Sequence, residues 1–388
     1  MSIIFIATML MPVLMLPANL YFYSTRKRNR TVCVVLICLA LAVLAFHFRP
    51  LTSQNTDILR HWRQMERAGK LTFAKAADSD AFSSLMSYFT LLKVFSYAES
   101  KYLLAAFTTF IGYFMCLYVT SKMDHAAKTD IRFLTIFTFL SCVSFLGFCS
   151  GIRQYLTFAI FLLTFYTESI KGKFKKGAWV VYVLLTTMHT SAGFLVVLRV
   201  ICGIFNRVRR VSAFSVFLVF WSFVQEQVVG FLATNFSGSH FVKKVVELSG
   251  FYEENPSAFV MPNYIWRFVF LAFCTVMVAF IMKNHKETDR VPKKYLHLVL
   301  ATAMFTFGGF TSYDLFARFS MFTFLLAIPL IPMFFEKLHR KSKRLCYFGL
   351  LSFSGAVLLY NVNGYLDFNF SSLYDIIFTN IFTLIGAI

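Results

Sequence analysis

KGKFKKGAWVVYVLLTTMHTSAGFLVVLRVICGIFNRVRR, residues 171–210, holds 28 mostly apolar residues (178–205) between two strongly basic clusters. A single long tilted helix would place one cluster on each side of a membrane. Basic loops stay on the cytoplasmic side, so one crossing leaves one cluster misplaced. Two short helices that turn near Met188–His189–Thr190–Ser191 keep both clusters inside. Each arm is short for a span, which puts the outer turn below the membrane surface. The stretch therefore reads as a hairpin, and its orientation sets the side of every neighbouring segment.

The rest of the chain follows the same rule. It has 388 residues, 58% of them hydrophobic and 14% charged, with 50 Phe. A soluble domain carries about a quarter charged residues. Apolar runs near ~20 residues recur, enough to cross a hydrocarbon core of ~30 Å. The fold class is all-α, a polytopic integral membrane protein of about 12 transmembrane helices in one membrane domain over 1–388.

The opening MSIIFIATMLMPVLMLPANLYFYSTRKRNR has its basic cluster after the apolar run. It reads as an uncleaved first helix (about 3–23) with an external N-terminus, not as a signal peptide. Helix 2 covers about 31–48, and a long external loop follows over 49–82. The segment SSLMSYFTLLKVFSYAES (83–100) is short and interrupted by Lys93. Counted as a span it would invert every later loop, so it reads as an interfacial or half-inserted helix. Further helices are expected at about 101–120, 131–148, 151–170, 211–232, 263–283, 295–312, 315–334 and 345–360. A second external loop covers 233–261, and the tail after 361 starts outside.

The net charge of +20 invites a nucleic-acid reading, but 25 of the 38 Lys and Arg fall on one side of this topology. That side carries six of the 18 acidic residues, so the other is nearly neutral. The excess is a topology signal with anionic lipids as its natural partner, and no nucleic acid is implied. The eight cysteines all lie in apolar segments with no CxxC. They read as buried reduced thiols, with neither a disulfide framework nor a thiolate metal site.

A cation in mid-membrane costs about 2.5–3.5 kcal/mol on insertion scales, so each one needs a partner or a purpose. Arg153 and Gln154 open helix 151–170, His189 sits at the hairpin turn, and Arg318 follows Asp314 by one turn. Arg267 stands near the outer end of helix 263–283. All lie at one depth on the external side in this topology, which points to an outward polar cavity. Each has a bland alternative. Arg267 is close enough to the interface to snorkel, and Asp314 and Arg318 have the spacing of a structural ion pair. A lone His at a turn is often only hydrogen-bonded in place. Asp57, Arg60, His61 and Arg63 have the spacing of a solvated helix face, and DSD at 78–80 is too short to carry a metal assignment.

SGIRQYLTFAIFLLTFYTES, a short basic loop, and a helix closing on MHTSAGFLVVL together resemble the EpsG/Wzy family of bacterial polysaccharide polymerases. Further points of resemblance are Asp57 early in the first large loop (NTDILRHW), an amphipathic helix after it, and Arg318 in LFARFSMF. Where the family tends to have Tyr four residues after the Asp, this chain has His61. The resemblance implies a GT-C-like membrane glycosyltransferase of the bacterial inner membrane, facing the periplasm or exterior. Its partners would be a polyprenyl-diphosphate-linked glycan donor and acceptor, with chain-length regulator and flippase proteins of the same pathway.

Arg suits a diphosphate leaving group because its planar fork matches phosphate oxygens. Arg153 and Arg318 would hold the diphosphate, with Arg60 as a loop clamp and His61, Gln154 and Asp314 in the substrate-binding shell. His189 or Asp57 would act as the base that takes the acceptor hydroxyl's proton, or would position the acceptor. Arg side chains would do the neutralisation that metals perform elsewhere, so no metal or other cofactor is expected. Two other classes fit an Arg-lined cavity. A flippase of lipid-linked oligosaccharide would be expected to show related halves and broken helices, and neither is visible. A membrane O-acyltransferase would draw its acyl group from the cytoplasmic side, opposite to His189.

Overall fold

The breaks between helices follow prolines, glycines and serine caps. The computed structural model describes residues 2–25, 29–50, 56–98, 100–126, 131–173, 175–204, 260–286, 289–310, 313–366 and 370–380, with isolated positions between 205 and 259 and after 380. The elements are α1 (Ser2–Leu10), α2 (Leu16–Thr25), α3 (Arg30–Phe46), α4 (Asp57–Lys70), α5 (Phe73–Ala77), α6 (Met86–Phe95), α7 (Tyr102–Ala126), α8 (Arg132–Cys142) and α9 (Phe145–Ser150). They continue as α10 (Ile152–Ser169), α11 (Lys175–Thr186), α12 (Ser191–Ile204), α13 (Val260–Lys283), α14 (Lys293–Gly308), α15 (Tyr313–Ala327), α16 (Ile331–Lys337), α17 (Arg340–Leu366) and α18 (Leu373–Phe378). Among the described residues the β structure is one isolated bridge, Phe48 with Phe370.

Among the described residues four helices are long and apolar enough to cross a membrane: Tyr102–Asp124, Pro262–Lys283, Leu315–Lys337 and Arg340–Gly364. The shorter apolar helices are Arg30–Phe46, Met86–Phe95, Arg132–Cys142, Lys176–Thr186 and Ser191–Ile204. None of the eight cysteines is in a disulfide, and all but Cys346 are buried. The expected helix over 211–232 and the loop 233–261 lie outside the described residues, apart from isolated positions.

Two compact units are present: residues 1–196 with 338–388, and residues 197–337. In the first, the expected first helix is broken, because Pro12 removes a backbone donor and clashes with the preceding turn. Along a continuous helix Thr8 and Asn19 would stand ~16 Å apart. Instead the Asn19 amide donates to Thr8 Oγ1 at 3.2 Å. Helices α3, α7 and α10 form the centre, where a Cβ at Gly112 would come within 2.4 Å of the Phe148 ring. Helix α17 is tied to α8 by Thr138–Ser354 (3.0 Å) and by Asn361 donating to the Ser141 carbonyl (2.8 Å). The expected helix 131–148 stops at Cys142, and Ser144 caps α9 by accepting from the Gly147 amide.

The second unit packs α13, α14 and α15. Arg267 does not snorkel: it is buried, and one guanidinium nitrogen donates to the Ala317 carbonyl (2.7 Å) and to Ser320 Oγ (3.2 Å). Those partners hold one nitrogen of a cation that lipid would penalise, while its buried Nε has no hydrogen-bond partner among the described residues. Helix 315–334 is interrupted by a 3-10 turn, Ile328–Leu330, which contains Pro329 and is followed by Pro332. Within the expected hairpin, residues 178–204 form two helices, α11 and α12, with the break at 187–190.

Candidate functional site

Helix α4 buries Ile58, His61, Trp62, Met65 and Ala68, a spacing that makes one apolar stripe. Asp57, Arg60, Arg63, Glu66, Arg67 and Lys70 take the other positions. The stripe lies on α6, and the lysine that interrupts that apolar helix has a partner there. Lys93 Nζ donates to the Gly69 carbonyl at 2.7 Å, satisfying an orphan acceptor at the α4 C-terminus.

Within this contact His61 Nδ1 bonds the hydroxyl of Tyr88, which is 0% exposed. The Tyr88 hydroxyl donates to Gln64 Oε1 at 2.7 Å. A phenol has one proton to give, so towards His61 it accepts, and the imidazole proton sits on Nδ1. Burial holds His61 well below the usual histidine range, and Arg153 and Arg60 push it the same way. The ring is neutral at physiological pH.

Arg153 comes from the first turn of α10. The junction before it is tight, since a Cβ at Gly147 would stand 2.2 Å from the Tyr155 ring. Ser150, at the end of α9, accepts from the Ile58 amide at 3.2 Å, fixing the α4 N-terminus against this junction. The guanidinium of Arg153 lies over the Tyr88 ring, 4.8 Å from its centroid. Gln154 is buried, and its Nε2 has no hydrogen-bond partner among the described residues.

The turn between α11 and α12 joins the same group. Ser87, one residue before Tyr88, pairs with Thr187 at 2.6 Å. His189 Nδ1 bonds Ser191 Oγ at 2.7 Å and accepts from the Ser191 amide at 3.2 Å. At the start of α4, Asp57 and Arg60 form an ion pair of 2.9 Å with both side chains 50% exposed. The Tyr88 phenol lies in the fields of Arg153, Arg60 and Asp57, and the His61 ring in those of Arg153, Arg60 and His189.

Of the eight expected site residues, His61 forms the pair with Tyr88, Asp57, Arg60, Arg153 and His189 surround that pair, and Gln154 holds the next position of α10. His61 is 1% exposed and faces Tyr88, while Asp57 and Arg60 stand on the accessible side. Arg318 is partly buried on α15 of the second unit, and the Asp314 side chain lies outside the described residues. Tyr88 and Gln64 are the members that sequence reasoning misses. Tyr88 is one of 18 Tyr, set in an apolar helix, and no spacing rule singles it out. The described residues hold no group of three or more His, Cys, Asp or Glu that could hold a metal ion. An exposed Arg60 and a half-buried Arg153 beside a carboxylate and two imidazoles can hold a polyanion and move a proton.

No curated protein and no solved structure matches the chain. The sequence pattern of the EpsG family matches residues 82–373. That span takes in Tyr88, Arg153, His189 and Arg318 and begins after α4. Since the match covers well over half of this helical membrane chain, the protein is a member of the EpsG family.

Proposed function

We propose that the protein is a polysaccharide polymerase acting at the external face of the bacterial inner membrane, with about twelve crossings in a GT-C-like arrangement. It transfers a growing glycan from a polyprenyl-diphosphate carrier to the terminal sugar of a new lipid-linked repeat unit. The observation that carries this reading is the convergence of Arg153, Arg60, Asp57 and His189 around the buried His61–Tyr88 pair.

In the reaction, a hydroxyl oxygen of the acceptor sugar bonds to the anomeric carbon of the donor. The bond from that carbon to the diphosphate oxygen breaks, and polyprenyl diphosphate leaves with the electron pair. Arg153 neutralises the charge that grows on the diphosphate. A planar fork suits this better than a point charge. Asp57 takes the hydroxyl proton: it is accessible, whereas His61 is buried and His189 already uses Nδ1 as an acceptor. Arg60 orients Asp57. His189 donates through Nε2–H to the diphosphate or to the acceptor sugar. Arginines do the neutralising, so the scheme needs no metal. Purified protein supplied with lipid-linked repeat units is expected to build a ladder of polymer lengths, and a failure to lengthen any glycan would refute the reading.

A further inference from the structure

We propose that Tyr88 is a positioning residue whose ring holds the Arg153 guanidinium ready for the diphosphate, an inference that rests on the polymerase reading above. The guanidinium stands 4.8 Å from the ring centroid, inside the ~6 Å range of cation–π attraction. The ring has little freedom to move. It is fully buried, its hydroxyl is held by His61 and Gln64, and the His61 ring meets it at 69° with centroids 5.6 Å apart. Two residues of α4 thus fix a ring on α6, and the ring fixes a cation on α10.

An aromatic platform suits this task better than a carboxylate. A carboxylate would neutralise Arg153 and occupy the N–H fork that a phosphate needs. The ring face attracts the cation without placing a competing anion beside it. It also restrains a side chain that otherwise carries about 2 kcal/mol of rotamer entropy, and ordering a group before binding reduces what binding must supply. Tyr88 touches neither donor nor acceptor in this scheme and acts through Arg153.

The test is the affinity of the full-length protein in lipid nanodiscs for polyprenyl diphosphate, with folded protein measured in parallel. Tyr88→Leu should weaken binding about 3- to 30-fold, the span of cation–π strengths. Tyr88→Phe keeps the ring and should stay within about threefold on the same scale. In an Arg153→Ala background, Tyr88→Leu should cost nothing further. Should the leucine variant be poorly folded, fluorinated phenylalanines at position 88 keep the shape while draining charge from the ring face. Affinity should then fall stepwise with each fluorine. A flat fluorine series, or a Tyr88→Leu loss that persists without Arg153, overturns the positioning role while the polymerase reading stands. Wild-type protein that does not bind polyprenyl diphosphate overturns both.

Discussion

The backbone N–H of Ser191 points at Nδ1 of His189, 3.2 Å away, and the Ser191 hydroxyl reaches the same nitrogen at 2.7 Å. An amide N–H can only donate, so Nδ1 is an acceptor and the neutral ring carries its proton on Nε2. The turn thereby presents His189 as a hydrogen-bond donor.

A donor role has a specific signature. Glutamine keeps an N–H at this position but cannot serve as a base at neutral pH, so His189→Gln should polymerise within about tenfold of wild type. His189→Ala should lose about 10- to 100-fold, as expected for a hydrogen bond to a charged group. Polymerisation rate must be read beside the amount of protein in the membrane. A loss of 100-fold or more in the glutamine variant, with substrate binding intact, would return the base to His189.

Asp57 carries the proton in this scheme. Asp57→Asn should lower the polymerisation rate about 100-fold or more, the lower range of general-base contributions, with donor binding little changed. Single-turnover rates separate the two effects. A fully active Asn variant would remove Asp57 from proton transfer.

The His61–Tyr88 contact predicts an acid-sensitive α4–α6 pair. The folded His61 titrates well below its unfolded value of ~6.5, so the unfolded chain binds the proton more readily. The stability contributed by neutral His61 is complete above about pH 6.5 and is lost as pH falls from there toward the folded value. Amide exchange along α4, corrected for intrinsic rates, should therefore accelerate between pH 7.5 and 5.5. His61→Gln should flatten that dependence, and identical profiles for both proteins would contradict it.

Much of this architecture is legible in the sequence because membrane segments announce themselves by apolar length and charged flanks. The break at 187–190 follows from two basic clusters, and the α4 stripe from its spacing. What is hidden depends on contacts between distant segments. Arg267 reads as interfacial, yet its acceptors stand on a helix fifty residues later. Lys93 reads as an interruption of an apolar helix and is a cap for α4. The broken first helix is marked only by Pro12. Arg153 and His189 stand out because polar groups are rare in such apolar surroundings, and Asp57 stands out through the family resemblance of NTDILRHW. Tyr88 does not, because a tyrosine among aromatics is unremarkable until its partners are known.

The hairpin assigns sides that chemistry can read. In a background without the eight native cysteines, His189→Cys should react with an impermeant reagent on intact cells. Lys173→Cys and Arg209→Cys should react only after the membrane is opened. Labelling of position 209 from outside would invalidate the hairpin and the external placement of His189.

The central claim is glycosyl transfer from a lipid diphosphate, and liposomes holding the purified protein and a labelled lipid-linked repeat unit test it most directly. The account predicts a ladder of polymer lengths with one polyprenyl diphosphate released per bond formed, and neither product from Arg153→Ala. Movement of the labelled lipid between leaflets with no lengthening of the glycan would contradict it and identify a transporter instead.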